Sequence, residues 1–253
     1  MKKILGALVL CAVITTASGS EASSDKGEDD WILNLAPLYL WAFDITGDQT
    51  IGPVTNSVDV EFSDVFDNLE TGLTVHFEGM HKTKWGFLFD LNYLGLGNKE
   101  SLPNGITRKI DLDVTLAEVS GLHRWDLGEH KLDLIFGLRY VELSTDIRIL
   151  GGNDLVDESQ DWVDPLFGGR WIWNFASNWS LITRGDIGGF QVGSDFAWQA
   201  LGIVEWQPFK YASFLVGYRG IGMDYEDGNI RDRDYFHYDA TVHGPVIGVN
   251  FRW

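Results

Sequence analysis

The chain has 253 residues, of which 37 are acidic and 19 are basic, so its formal net charge at pH 7 is −18. So acidic a chain repels nucleic acid, and we expect no nucleic-acid partner. After residue 22, no apolar run reaches the roughly 18 residues that a membrane-spanning helix needs. If the protein enters a membrane, it therefore does so as β-strands.

Residues 1–22 have the pattern of a secretory signal peptide. Two lysines precede an apolar run from Ile4 to Ile14, and small residues follow, so we expect cleavage after Gly19 or Ala22. The only cysteine, Cys11, lies inside this segment. We therefore expect the exported protein to have neither a disulfide bond nor a thiolate metal site.

From residue 31 onward, apolar side chains recur at every second position. The polar and acidic residues 23–30 before this point predict a flexible lead-in. In WGFLFDLNY, residues 85–93, every odd position is large and apolar, whereas Asp90 and Asn92 fall on the opposite face. In the first such segment, the odd positions from Trp31 to Phe43 form the apolar face. These segments exceed the usual soluble strand length of about 5–6 residues.

Ten such segments predict a single domain over residues 31–253, an all-β antiparallel up-and-down transmembrane barrel. Eight or twelve strands remain open, because VDVEF (58–62) and the short connection QVGSD (191–195) can be assigned in more than one way. Tight turns on one rim and long loops on the other are typical of outer-membrane barrels with periplasmic termini. The predicted turns are HKTK, DLGE, FASN and QPFK, and the predicted loops are residues 46–68, 96–107, 145–161 and 226–234.

Two local features depart from plain alternation. Within the first loop, SDVFDNLE predicts a helical turn capped by Ser63. In the segment from residue 108 to 125, the alternation is clean through Leu116 and lost near Glu118, which predicts a β-bulge there.

The tryptophans are distributed unevenly between the two predicted rims. Because amphipathic rings concentrate at headgroup depth, this clustering indicates an aromatic girdle rather than a soluble core. Three tryptophans lie toward the loop rim, namely Trp41, Trp162 and Trp198. The other eight lie beside the turn rim: Trp31, Trp85, Trp125, Trp171, Trp173, Trp179, Trp206 and Trp253.

The last ten residues, GPVIGVNFRW, end on Trp253, with Phe251, Val249 and Ile247 on the same face. This strand resembles the C-terminal assembly signal of outer-membrane β-barrel proteins, and with GYRGIGMDYEDG before it the chain resembles small proteobacterial barrels of the broad OmpA-like class. The resemblance implies the outer membrane of a Gram-negative bacterium, insertion by the barrel-assembly machinery, and contact with lipid and lipopolysaccharide. It implies no activity. We expect this strand to pair with the Trp31–Ile45 strand and close the barrel.

The inward-facing positions collect charges of both signs. Enclosed charges are costly unless paired, so we expect a salt-bridge network that fills the lumen. A narrow water-filled pore, in which these groups set ion preference, is the alternative. The predicted lumen residues are Glu78, Asp90, Asp133, Arg139, Asp164, Arg170, Arg184, Asp186, Glu205, Arg219 and Arg252.

Catalysis is the third possibility. His237 lies two residues before Asp239, and a carboxylate that orients a histidine suits a general base in hydrolysis. The sequence contains no serine hydrolase motif, so we expect no enzyme. The acidic loops could hold divalent cations against lipopolysaccharide phosphates, but no stretch has calcium-loop or zinc spacing, and we expect no bound metal or cofactor. The sequence thus predicts a barrel with a structural or surface-interaction role.

Overall fold

The computed structural model describes residues 30–101, 107–149, 154–229 and 235–253. The predicted signal peptide and the lead-in up to residue 29 lie outside these ranges. The described chain contains one short helix and twelve strands: β1 (Trp31–Trp41), β2 (Asp44–Ile51), β3 (Val54–Val60), α1 (Phe62–Asp67), β4 (Leu69–His81), β5 (Trp85–Ser101), β6 (Thr107–Leu127), β7 (His130–Ile149), β8 (Asp154–Ala176), β9 (Trp179–Gly188), β10 (Phe196–Phe209), β11 (Ala212–Asp227) and β12 (Phe236–Arg252).

Ten of these strands form a closed antiparallel barrel. The order around the wall is β1, then β4 through β12, and β12 pairs back onto β1. Strands β2 and β3 form a hairpin that adds to the far end of β12 and lies outside the ten-strand count. The prediction of ten strands, closed by the last strand against the first, is confirmed.

The barrel has two unlike ends. At the turn end lie the tight connections, such as residues 82–84 and 128–129, together with the first and last barrel residues. The opposite end, here the loop end, carries the β2–β3 hairpin and α1. Within the described ranges, no helix is long and apolar enough to cross a bilayer.

Strand β6 shows that the polarity of the wall inverts along its length. Near the turn end, its inward positions include Glu118 and Ser120, which are buried, and its outward positions are apolar, as at Val119. Toward the loop end, the inward residue is Leu116, and the outward row carries Lys109 and Asp111. The outer surface of the turn-end half is therefore suited to lipid, and the outer surface of the loop-end half is suited to water.

This inversion corrects three predictions made from the sequence. Register is continuous through Glu118, which pairs with Asp90 and Arg139, so the predicted bulge there is wrong. What changes near Glu118 is the polarity of the inward row, not the pleat. The predicted long loops at 96–107 and 145–161 are also wrong in extent, because strands β5 to β8 continue through most of them with polar outer faces.

A bulge does occur in β1, at Pro37. The register with β12 shifts between Leu35 and Leu38, and proline, which has no N–H to donate, is tolerated at such a point. The shift turns the faces over, so that Leu40 is 58% exposed on the outside and Trp41 is 8% exposed inside the lumen. The predicted outward face from Trp31 to Phe43 is therefore wrong beyond Pro37.

The outward apolar band has bulky aromatic borders. On β5 it runs over the nine residues from Trp85 to Tyr93, whose eight steps correspond to about 20 Å of height for strands tilted by about 40°. The eight predicted turn-end tryptophans lie on the outer face or at its rim, and six are exposed. Of the other three, Trp41 and Trp162 point inward and are buried.

Helix α1 begins without a side-chain cap. Its N-cap residue is Glu61, and Ser63 lies one residue inside the helix, so the predicted Ser63 cap is wrong. The free N–H of Phe62 donates to Asp44 Oδ1 at 2.7 Å instead. A carboxylate from β2 thus accepts a backbone N–H of the first helical turn. The stretch SDVFDNLE alone could not predict this contact, because Asp44 lies outside it.

Candidate functional site: the filled lumen

A bidentate ion pair in the lumen joins two distant strands. Arg170 on β8 donates from Nη1 to Glu78 Oε2 at 2.5 Å and from Nη2 to Glu78 Oε1 at 2.9 Å, and Glu78 lies on β4, four strands away around the wall. The Nε of Arg170 donates to Asp133 Oδ2 at 2.8 Å. Arg124 then holds Asp133 from the other side, at 2.6 and 2.7 Å. These four side chains form one paired cluster across the bore.

A second cluster joins strands β10 and β11 to strands β4 and β5. Arg219 on β11 reaches Asp90 on β5, with an Nη1 to Oδ1 distance of 3.3 Å. Gln199 Oε1 accepts two further bonds from the same guanidinium at 3.0 and 2.7 Å. The ring of Trp41 lies 4.9 Å from the guanidinium carbon, an attractive cation–π contact. His76 Nδ1 lies 3.1 Å from Asp90 Oδ2 and completes the cluster.

A third cluster involves strands β6, β7 and β9. Arg139 Nη2 donates to Asp186 Oδ1 at 2.7 Å, and Arg184 Nη2 donates to Glu118 Oε1 at 2.7 Å. Arg184 Nε also donates to Asp186 Oδ2 at 2.8 Å. Arg139 is only 1% exposed. Two arginines and two carboxylates, all four buried, thus neutralise one another.

Among the described contacts, the remaining predicted lumen residues, Asp164, Glu205 and Arg252, have no oppositely charged partner. Asp164 is buried and accepts from the Ser194 N–H at 2.6 Å and from its hydroxyl at 2.8 Å. Glu205 accepts only from Ser213 Oγ, at 2.5 Å. Arg252 donates to amide oxygens rather than to an acid.

The sequence does not predict several of the inward-facing residues. It predicts a bulge at Glu118 and places Trp41 on the outer apolar face. Arg124 and Lys131 lie so near the turns that the alternation did not assign them to the interior. For Glu118 and Arg124 on β6, the even-numbered positions identify the inward face. Residues 118 to 124 keep one even-numbered inward row, with Leu122 fully buried between Ser120 and Arg124.

Toward the loop end, apolar side chains replace the charges. Trp162 on β8 stacks on Tyr225 on β11, with ring centroids 4.0 Å apart and planes 8° from parallel. Leu116 and Val141 from one side meet Ile221 and Tyr238 from the other in the same cluster. Burial raises the pKa of the Tyr238 hydroxyl to about 12, because the phenolate would lose its hydration. These residues, here called the apolar plug, lie in the bore beyond the charged clusters.

Toward the turn end, the lumen widens into a cavity of about 240 Å³. Glu78, Asp90, Arg170 and Arg219 of the first two clusters line its inner end, and Ser177 and Asn178 of the β8–β9 turn line its mouth. The cavity thus opens at the turn end and ends at the charged clusters.

The predicted hydrolytic pair does not form. His237 Nε2 lies 3.0 Å from Asp224 Oδ1 on β11, not against Asp239, which lies two residues away on its own strand. The pair is on the outer face near the loop end. Among the described residues, no group of three or more His, Cys, Asp or Glu side chains could hold a metal ion.

The C-terminal residues lie on the outer face of the closing seam. Ile247, Phe251 and Trp253 are exposed on the outside, and Val249 is half-buried beside them. The Trp253 N–H donates to Leu33 O at 3.1 Å, and the Leu33 N–H donates to Trp253 O at 2.9 Å. The last residue is therefore bonded to the first strand in both directions.

A closed ten-stranded barrel with an apolar outer band, an aromatic border and a polar interior has the fold of the outer-membrane β-barrel proteins. No protein-family model and no curated protein matches the sequence. Among solved structures, the outer membrane protease OmpT from Escherichia coli matches with a TM-score of 0.52 and 6% identity, over 89% of this chain and 97% of that one.

Two further solved structures also align. Ail, the attachment invasion locus protein of Yersinia pestis, matches with a TM-score of 0.39 and 10% identity, over 88% of this chain and 97% of its own. Neisserial surface protein A matches with a TM-score of 0.33 and 11% identity, over 88% and 96%.

Proposed function

We propose that the protein is a sealed outer-membrane barrel with a structural or surface-interaction role. The observation that carries this proposal is the pair of cross-lumen contacts, Arg170 with Glu78 and Arg219 with Asp90. A ten-stranded barrel is wider than the eight-stranded kind that ordinary side chains fill. Long paired side chains are what can span such a bore, and the apolar plug lies behind them.

The location is argued from the outer surface. Short turns and both ends of the barrel lie on one rim, which is periplasmic in outer-membrane barrels. The apolar band of about 20 Å and the exposed tryptophans suit a bilayer with headgroups at the turn end. We propose insertion by the barrel-assembly machinery through the strand from Ile247 to Trp253, with lipid and lipopolysaccharide as the neighbours.

The surface role rests on the part of the wall that extends beyond the apolar band. Strands β5 to β8 form one projecting sheet, and β11, β12, β2 and β3 form the other. Outward side chains of the first sheet include the paired Lys109, Asp111 and Arg148. The second carries the acids Asp48, Glu226 and Asp239, which divalent cations could bridge to lipopolysaccharide phosphates. The predicted loop acids at 230–234 lie outside the described residues.

Liposome swelling tests the sealed lumen, and cysteine labelling tests the topology. We expect proteoliposomes in small sugars to remain unswollen, whereas swelling would favour the narrow channel. Because Cys11 is the only natural cysteine, Ser144→Cys near the loop end should react with an impermeant maleimide on intact cells. Thr83→Cys in a tight turn should react only after permeabilisation, and the reverse result would overturn the orientation.

A surface hydrolase is the weaker alternative. OmpT, a protease by name, has this fold, but a shared fold at 6% identity carries no activity with it. His237 is bonded to Asp224, yet among the described contacts it has no hydroxyl nucleophile as a partner. We therefore propose no catalysis. Cleavage of added peptides that is lost in His237→Ala would contradict this.

A further inference from the structure

Some charged side chains of the turn-end cavity have no salt-bridge partner among the described contacts. Six cationic and three acidic side chains line it, namely Arg124, Lys131, Arg170, Arg184, Arg219 and Arg252 against Glu78, Asp90 and Glu205. Four of the arginines have carboxylate partners in the clusters described above. The charged side chains of the cavity without a salt-bridge partner among the described contacts are therefore Lys131, Arg252 and Glu205.

The two unpaired cations face each other across the mouth. Lys131 lies on β7 and Arg252 on β12, which occupy opposite sides of the ten-strand wall. Lys131 is repelled by Arg124 and Arg252 and attracted by Asp126 and Asp133, and no salt bridge to it is found among the described contacts. Arg252 is held by neutral acceptors, Asn34 Oδ1 at 3.1 Å and Gln207 Oε1 at 3.4 Å. These amides fix its direction but leave its charge available to an anion.

The unpaired acid lies deeper, on β10. Glu205 is only 7% exposed and lines the cavity, and its single partner is the Ser213 hydroxyl. Glu205 is two residues from Gln207, which contacts Arg252, a separation of about 7 Å along the strand. An enclosed carboxylate without a cation is costly, since one neutral hydroxyl replaces little of its hydration. A cationic group in the cavity would relieve this cost.

We propose that the cavity binds a small zwitterionic solute, of the amino acid or short peptide class, from the turn end. Its cationic group pairs with Glu205, and its anionic group lies between Lys131 and Arg252. A volume of about 240 Å³ is below the ~300–1,000 Å³ of pockets for drug-sized ligands, which suits a solute of a few heavy atoms. Lining amides such as Asn174, Asn178 and Asn250 add donors and acceptors for a peptide unit.

Calorimetric titration of the full-length detergent-solubilised protein tests the proposal. The probes are glycylglycine, which carries both charges, and acetate and ethylammonium, which carry one each. We expect glycylglycine to bind, and each single-charge probe to bind at least about tenfold more weakly, since one charged contact is lost. No heat with glycylglycine, or equal affinity for acetate and glycylglycine, would overturn the proposal.

Variants test which residue binds the cationic group of the solute and which binds its anionic group. Glu205→Gln should weaken glycylglycine at least about tenfold and leave acetate binding unchanged, whereas Lys131→Met should weaken both. Glu226→Gln and Lys210→Met, on exposed side chains outside the cavity, are the matched controls. Unchanged glycylglycine affinity in Glu205→Gln would contradict the assignment. If a variant fails to fold, as judged by its heat-modifiable gel shift, competition between acetate and glycylglycine on the wild type decides. None of these outcomes depends on whether the barrel conducts.

Discussion

Arg170 and Glu78 form a bidentate ion pair across the lumen, with both contacts between 2.5 and 2.9 Å. The two residues are 92 positions apart in the chain and lie on strands that do not touch through their backbones. The pair therefore links opposite parts of the wall, and without the other each partner would be a buried charge that Asp133 or Arg124 compensates only in part.

The first prediction concerns the cost of breaking this pair. Glu78→Gln should destabilise the barrel by about 3–5 kcal/mol, because it leaves Arg170 buried with only Asp133. Unfolding in urea, followed by the gel shift, measures this cost. Glu226→Gln, on an exposed side chain, should change the midpoint little.

A matched double variant separates pairing from burial. Glu78→Met with Arg170→Met removes both charges and keeps the volume, so it should recover most of the lost stability. A double variant no more stable than Glu78→Gln would show that the pair itself, rather than the uncompensated charge, is what the wall requires.

The second prediction concerns the apolar plug. Tyr225→Ala should cost about 3–5 kcal/mol, because it removes the ring that stacks on Trp162 and leaves a cavity. Tyr225→Phe keeps the stack and should cost little. Equal losses in the two variants, measured by urea unfolding, would assign the effect to the hydroxyl and not to the stack.

The third prediction tests the bulge at Pro37. Leu40→Cys should react with a maleimide dissolved in the lipid, because residue 40 is exposed on the outer face. Trp41→Cys should react far more slowly, because residue 41 points into the lumen beside Arg219. Labelling in liposomes, read by mass spectrometry, compares the two. Faster labelling at residue 41 would place the bulge elsewhere.

The fourth prediction concerns pH. Tyr238 has a folded pKa of about 12, above the unfolded value of about 10. Its neutral form is therefore favoured by folding, and the associated stability is present below pH ~10 and lost as the pH rises toward 12. The loss should approach about 2–3 kcal/mol. Tyr238→Phe should reduce the alkaline loss of stability by this amount, and tyrosinate absorbance that rises fully near pH 10 in the folded protein would contradict the assignment.

Period-two alternation predicted most of the barrel wall. It identified the outward rows of β5 and β7 and the inward Arg139 and Arg170, because lipid and lumen impose opposite polarity on alternate residues. It failed at Pro37, where a single extra residue reverses the faces of β1. It failed near Glu118 for another reason, since the strand leaves the lipid there and its polarity inverts without any change in the backbone.

The pairing inside the lumen could not be predicted in the same way. Which arginine contacts which acid depends on the stagger of the ten strands, and that stagger cannot be predicted from the sequence pattern. His237 illustrates this, because its partner Asp224 comes from the neighbouring strand rather than from its own. The signal peptide, cleavage site and export route stay predictions.

Single-channel recording in planar bilayers tests the central claim, that paired charges and an apolar plug seal the lumen. Wild-type protein should give no stepwise current at neutral pH. Arg139→Ala, which removes a guanidinium bonded to Asp186, should at most introduce brief leaks. Regular conductance steps in the wild type, altered in size by Arg139→Ala or Arg170→Ala, would show that the bore is open and contradict the account.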